Sequence, residues 1–301
     1  MRKTIIIVGM HRSGTSLTAS LLKKSGLDIG KELLGPEKSN TSGHFENTDF
    51  FFFHVNTLRK LNYHANGWDT IEIEEMNAQM TTQAKEIINK NQSEVWGWKD
   101  PRTTLFLNFW AKLLPNACFL FVYRSPAEVV DSLYRRGDSI IVENPELAID
   151  SWLHYNNLIL KYYNQHKNNS LLVNIKTLIN NYPFFIETLN HKFDVNLNPN
   201  IETLFNYKLF KEFSGKSELA DNLYKIKPEA KLLYQLLVNN SWTPENTKPL
   251  TANNLIINNF EDSSAEDFFS EWLRLYVKPE PVRVAKPRVG KLSKIKAFFF
   301  Y

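Results

Sequence analysis

The chain has a single cysteine in 301 residues, Cys118, set in an apolar run. That excludes a disulfide framework and a Cys/His metal cluster, and it suits a reducing compartment. No stretch approaches the roughly 18 consecutive apolar residues of a membrane-spanning helix. Arg2 and Lys3 precede an apolar stretch, but it is short and runs into His11 and Arg12, so it is not read as a signal peptide. No internal repeat is visible. The net charge of +4 has a local origin, because Arg283, Lys286, Arg288, Lys291, Lys294 and Lys296 fall in an acid-free segment, residues 283–301. Without those six, 30 Lys+Arg stand against 32 Asp+Glu, a net of −2. The body of the chain is therefore not composed as a nucleic-acid binder.

What is there begins at Thr4. Ile5 to Val8 is a β-branched run suited to a strand buried on both faces. Gly9 ends it, and from Gly14 the pattern is helical, with Leu17, Leu21 and Leu22 on one face and Gly26 as the stop. Between them lies Gly9-Met-His-Arg-Ser-Gly14-Thr15-Ser16. Such a turn can also be an ordinary strand-to-helix connection. Its outline is a phosphate loop, whose N–H groups converge on an anion at a helix N-terminus. An ATP or GTP loop places a Lys where Thr15 stands. Here the cation is Arg12, inside the loop, which can hold a phosphate but is poorly built to clamp a triphosphate.

Three further stretches carry candidate chemistry. Gly43-His44-Phe45-Glu46-Asn47 leads into Thr48-Asp49 and then a helical run from Phe50 to Leu61, with Asn47 or Thr48 as its cap and Phe50, Phe53, Val55, Leu58 and Leu61 as its apolar face. By spacing alone Glu46 is a solvated loop carboxylate. Val95 to Trp98 reads as a short strand, and Lys99 and Arg102 fall at its C-terminal end, the ligand-binding edge of open α/β sheets. Lys99 taken alone pairs with Asp100 or with solvent. Thr103 is placed to cap the next helix. Ala117 to Tyr123 is a second strong strand, followed by Arg124-Ser-Pro126 and a helix with Ser132 two turns in. A forked Arg at a strand end and a Ser on the following helix can share one oxyanion.

Further helices are expected over Glu75 to Asn91, Glu146 to Gln165, Tyr182 to Lys192, Pro228 to Val238 and Ala265 to Tyr276, the last with Ser263 and Glu266 as a capping box. A strand is expected over Ser170 to Ile175. Residues 27–45 and 62–74 read as long irregular connections. The alternation of strands and helices predicts a three-layer α/β/α sandwich with a mostly parallel sheet. A main domain over 1–282 and a basic aromatic tail over 283–301 are expected. The tail reads either as a solvated linker, or as an anchor on an anionic membrane surface.

The Arg-Ser-Gly-Thr-Ser loop, the Lys-Asp-Pro strand end and the Arg-x-Pro-x-x-x-x-x-Ser pair, in that order, resemble the sulfotransferases that use 3′-phosphoadenosine 5′-phosphosulfate (PAPS). The likeness covers about residues 1–195 and is nearest to the bacterial type, similar to tyrosyl-protein and polysaccharide sulfotransferases. It implies a fold like the P-loop nucleotide kinases. It implies that Arg12, Ser13, Gly14, Thr15 and Ser16 hold the 5′-phosphosulfate, that Arg124 and Ser132 bind the 3′-phosphate, and that Lys99 stabilises transferring charge. Glu46 is implied as the base, with His44 as the alternative. His44 also departs from the family's usual Gly-Tyr-Trp-Glu form. No metal is implied, and the acceptor is a hydroxyl or amine, with a carbohydrate or other cell-surface component expected. Asn174-Ile-Lys-Thr departs from the family's acidic pattern, so no role is carried onto it. The expected location is cytoplasmic, with membrane contact only through the tail. A P-loop kinase and a non-catalytic nucleotide-binding module are the competing readings.

Overall fold

The computed structural model describes residues 2–35, 43–201, 217–244 and 265–274. The tail 283–301 and the Ser263 cap lie outside them, so neither reading of the tail is tested. Among the described residues there is one sheet of four parallel strands: β1 (Lys3–Val8), β2 (Val95–Lys99), β3 (Cys118–Tyr123) and β4 (Ser170–Asn174), in the spatial order β2-β1-β3-β4. The expected mostly parallel sheet is thus parallel throughout these strands.

Strand side chains alternate between faces, and the sheet uses this to fill two cores. Ile5 and Ile7 of β1, Leu120 and Val122 of β3, and Leu171 and Val173 of β4 face α1 (Thr15–Lys24) and the pair of helices that follows β4. Ile6 and Val8, Phe119 and Phe121, and Leu172 face a larger helical layer on the other side. That layer contains α2 (Thr48–Lys60), α3 (Ala78–Asn91), α4 (Leu107–Leu113), α5 (Pro126–Arg136), α6 (Ser139–Glu143) and α7 (Leu147–Gln165). The pair after β4 is α8 (Ile175–Asn180) and α9 (Tyr182–Phe193). The helices α10 (Ser217–Ile226), α11 (Pro228–Asn240) and α12 (Ala265–Arg274) add to the larger layer. Strands with helices on both faces make the three layers expected.

Three local expectations are corrected, each for a visible reason. The third helix starts at Ala78 rather than Glu75, because Asn77 accepts the Met80 N–H and caps it. Thr103 caps nothing. Asp100 caps a 3₁₀ turn, Pro101–Phe106, and Thr103 instead accepts the Trp98 indole N–H at 3.1 Å. Leu61 is exposed, since the second helix ends at Lys60 and buries Phe50, Phe53 and Leu58 instead. No helix among the described residues is long and apolar enough to cross a membrane.

Candidate active site

The chain leaves β1 to one side to form β2 and returns on the other side to form β3. In open α/β sheets ligands bind at such a reversal, outside the strand C-termini. The loop after β1 and Arg124 after β3 therefore meet at the crevice. In the loop, Arg12 (φ 67°) and Gly14 (φ 95°) both take left-handed backbone. Gly14 has no room for a side chain, since a Cβ there meets Ile175 at 2.5 Å. Gly14 is also the N-cap of α1, and no side chain caps that helix. Its first-turn N–H groups are thus left for an anion. Ser13 is fully buried, and its Oγ has no hydrogen-bond partner among the described residues. Thr15 is buried and Ser16 partly so.

The phosphate loop reaches Ser132 on α5. Arg12 Nε donates to Ser132 Oγ at 2.9 Å, across 120 residues of sequence. Burial, and then the like charges of Arg136, Arg124 and Arg135, bring the Arg12 guanidinium down to about 10, still protonated at neutral pH. Arg124 is 7% exposed. Its Nη2 donates to Glu128 Oε1 at 3.3 Å, and its backbone carbonyl accepts the Trp152 indole N–H. Glu128, Ser132 and Arg136 recur every four residues on α5, so they share one stripe of that helix. Arg136 lies over the Trp68 ring and is paired with Asp138. No sequence motif marks Arg136; only its four-residue spacing from Ser132 on α5 points to it.

Lys99 and Glu46 meet at the same edge. Lys99 Nζ donates to Glu46 Oε1 at 2.7 Å, and the two residues are 1% and 5% exposed. Neither the solvated carboxylate nor the Lys99–Asp100 pair is found. Burying one such charge alone is prohibitive, so each requires the other. His44 Nδ1 stands 3.7 Å from the second Glu46 oxygen, too far for a hydrogen bond. Asn47 caps α2 by accepting the Asp49 N–H, which fixes Glu46 just ahead of that helix.

Behind the pair, Asp100 gathers a buried network. One of its oxygens accepts from Arg102 N and Nη1, both at 3.0 Å, and the other accepts from His54 Nδ1 at 2.9 Å. An indole N–H can only donate, so His54 Nε2, which receives the Trp110 N–H, carries no proton in this arrangement. Burial pushes the Asp100 carboxyl up. Arg102 and His54 outweigh that and hold it well below the usual carboxylate range. Arg102 also donates to Ala65 O and Asn66 Oδ1, and His11 of the phosphate loop donates to Asn66 O at 3.0 Å. Tyr155 donates to Gly67 O. The connection around Ala65 to Gly67 is thus pinned to the site from three sides. Burial first, then Arg102 and Arg136, push the His11 ring well below its ordinary value.

The donor set is rich in cations at one strand edge, with an uncapped helix start and a buried serine hydroxyl beside it. It fits an anionic ligand. Among the described residues, no group of three or more His, Cys, Asp or Glu side chains could hold a metal ion.

A family model described as the sulfotransferase family matches residues 4–171. The comparison with curated proteins finds no match. Among solved structures, the chain is similar to the sulfotransferase STF1 from Mycobacterium tuberculosis H37Rv at 12% identity and TM-score 0.51, over 79% of this chain and 77% of that one. It is equally similar to the sulfotransferase STF9 from Mycobacterium avium, at 14% identity and TM-score 0.51, over 78% and 76%. At these identities the structural likeness shows the fold alone.

Proposed function

Since the chain belongs to the sulfotransferase family, we propose that it moves a sulfuryl group from PAPS to an acceptor hydroxyl, with Glu46 as the base. A carbohydrate as the acceptor class follows from the resemblance to polysaccharide sulfotransferases. One observation carries the reading. The buried Glu46–Lys99 pair, 2.7 Å apart, sits at the strand edge that also bears the phosphate loop and Arg124, with Ser132 of α5 hydrogen-bonded to that loop.

Bound PAPS supplies an activated sulfuryl group on a phosphate leaving group. Arg12, the first-turn N–H groups of α1, Ser13, Thr15 and Ser16 hold its 5′ end. Arg124 and Ser132, with Arg136 one turn further along α5, hold the 3′-phosphate. Glu46 takes the acceptor's proton as the new S–O bond forms and the bond to the leaving phosphate breaks. Lys99 and Arg12 meet the charge that collects on that phosphate, the kind of fixed electrostatic support that counts most in group transfer. In the free protein Lys99 is bound to Glu46. An anion arriving in the loop competes for Lys99 and so leaves the carboxylate able to take a proton.

The test is calorimetric titration with adenosine 3′,5′-bisphosphate and with ATP–Mg²⁺, followed by transfer of labelled sulfate from PAPS over a panel of sugars and phenols. Tight bisphosphate binding with sulfated product is expected. Preference for ATP–Mg²⁺, with phosphorylated product, overturns the reading in favour of a kinase.

A further inference from the structure

All four parallel strands deliver a cation just beyond, or at, their C-terminal end. In spatial order across the sheet these are Lys99 from β2, Arg12 from β1, Arg124 from β3 and Lys176 from β4. The first three have places in the proposed reaction, and Lys176 has none. Its position is odd on local grounds. It lies in the first turn of α8, where the helix dipole disfavours a positive charge. Asn174 caps that turn by accepting the Lys176 backbone N–H at 2.9 Å. The preceding residue, Ile175, is the side chain against which Gly14 of the phosphate loop is packed. The backbone at Lys176 is therefore set directly against the loop.

The side chain reaches back across the edge to α5. Lys176 Nζ lies 2.9 Å from Glu128 Oε1, the same oxygen that Arg124 Nη2 approaches at 3.3 Å. Ser125 Oγ donates to the other Glu128 oxygen at 2.6 Å. One buried carboxylate oxygen thus sits between a lysine and an arginine that come from adjacent strands. Glu128 is 7% exposed, whereas half of the Lys176 side chain faces solvent. Burial raises the Glu128 carboxyl, but Arg124, Ser125 and Lys176 together bring it below its ordinary value. Its single charge leaves the pair of cations with one net positive charge.

We propose that Lys176 is a further ligand of the donor's 3′-phosphate, and that Glu128 is a positioning residue holding Lys176 beside Arg124. This rests on the PAPS reading above. A phosphate monoester bears about −1.5 to −2 at neutral pH against −1 for a carboxylate, and it offers three acceptor oxygens, so it draws on both cations where Glu128 only orients them. Lys176 then stands at the outer edge of the site, opposite Lys99, and the four strand ends divide into a transfer half and an anchoring half.

The experiment measures the affinities of adenosine 3′,5′-bisphosphate and of adenosine 5′-monophosphate for the full chain, for Lys176→Gln, for Lys176→Arg and, as a reference, for Arg124→Ala. The exposure of Lys176 makes its variants compatible with folding, and matched melting temperatures confirm it. Lys176→Gln is expected to lose about fivefold to tenfold in bisphosphate affinity and to keep its 5′-monophosphate affinity, as suits one partly solvated charge-assisted contact. Lys176→Arg is expected to restore the loss. Equal losses for both nucleotides, or no loss for either, overturn the assignment of Lys176. If the unaltered chain itself fails to prefer the bisphosphate, the PAPS reading fails first, whatever Lys176 does.

Discussion

The buried Glu46–Lys99 pair makes two predictions. Removing one member of such a pair strands the other charge, which typically costs about 3–5 kcal/mol, whereas removing both is often close to neutral. Urea unfolding of Glu46→Gln, Lys99→Met and the double variant is expected to show two large losses and a double variant better than their sum. Strict additivity would mean that the pair contributes no coupling. In catalysis, a positioned base is worth about 10²–10⁴-fold. Single-turnover transfer by Glu46→Gln is therefore expected to slow by about 100-fold or more while bisphosphate affinity persists. His44→Ala, which removes a ring 3.7 Å from the carboxylate, is expected to slow it much less. A crippled His44→Ala beside a near-normal Glu46→Gln would reassign the base. His11 supplies a third prediction. Its folded ring is held below its ordinary value by burial and by Arg102 and Arg136. Below about pH 6.5 the unfolded ring binds a proton that the folded ring refuses. Its share of stability is fully present above that pH and is lost as pH falls, at a slope of at most about 1.4 kcal/mol per pH unit. Denaturant unfolding from pH 8 to pH 5 is expected to show a shallower fall for His11→Asn than for the unaltered chain. An unchanged slope would remove His11 from the account.

The element that most depends on tertiary contacts is the connection from Asn62 to Asp69. It has no regular structure of its own, and Gly67 takes left-handed backbone (φ 73°) against the Tyr155 hydroxyl. Arg102 is its main tether, through Ala65 O and Asn66 Oδ1, with the guanidinium also 4.7 Å from the Phe51 ring centroid. Arg102→Met leaves Asp100 buried beside His54 and without its guanidinium. It is expected to lose about 3 kcal/mol or more, and to raise amide exchange at residues 64–69 more than in the sheet. Uniformly faster exchange, with no excess in this connection, would mean that Arg102 supports the fold but does not pin the loop. The α5 stripe follows a simpler logic. A four-residue repeat on one helix aligns Glu128, Ser132 and Arg136, and the adjoining strand end brings Arg124 to the first of them.

For the molecule as a whole, charge at the site is handled by side chains delivered by the strands, with Lys99, Arg12, Arg124 and Lys176 spread along one edge. Turnover is therefore expected to survive EDTA. Loss of activity with EDTA and its recovery with Mg²⁺ would return the chain to the kinase reading. Both faces of the sheet are covered, and its strands are fully buried along most of their length.

What the chain determines locally was legible without the structure. The β-branched run before Gly9, the Leu spacing after Gly14, Pro126 at a helix start and the interval from Arg124 to Ser132 each encode one element or one turn. Such signals depend on residues close in sequence. The caps are less legible, because Asn77 and Asp100 stand close to other residues able to cap, and the sequence alone does not rank them. The site itself was another matter. Glu46 and Lys99 are 53 residues apart, and nothing in the spacing of either pairs them. Arg12 finds Ser132 across 120 residues only because β3 lies beside β1. Lys176 reaches Glu128 only because β4 lies beside β3. Strand order is set by which hydrophobic faces pack together across the whole chain. It therefore decided which charges became neighbours, while the residues themselves had already decided that charges would be there.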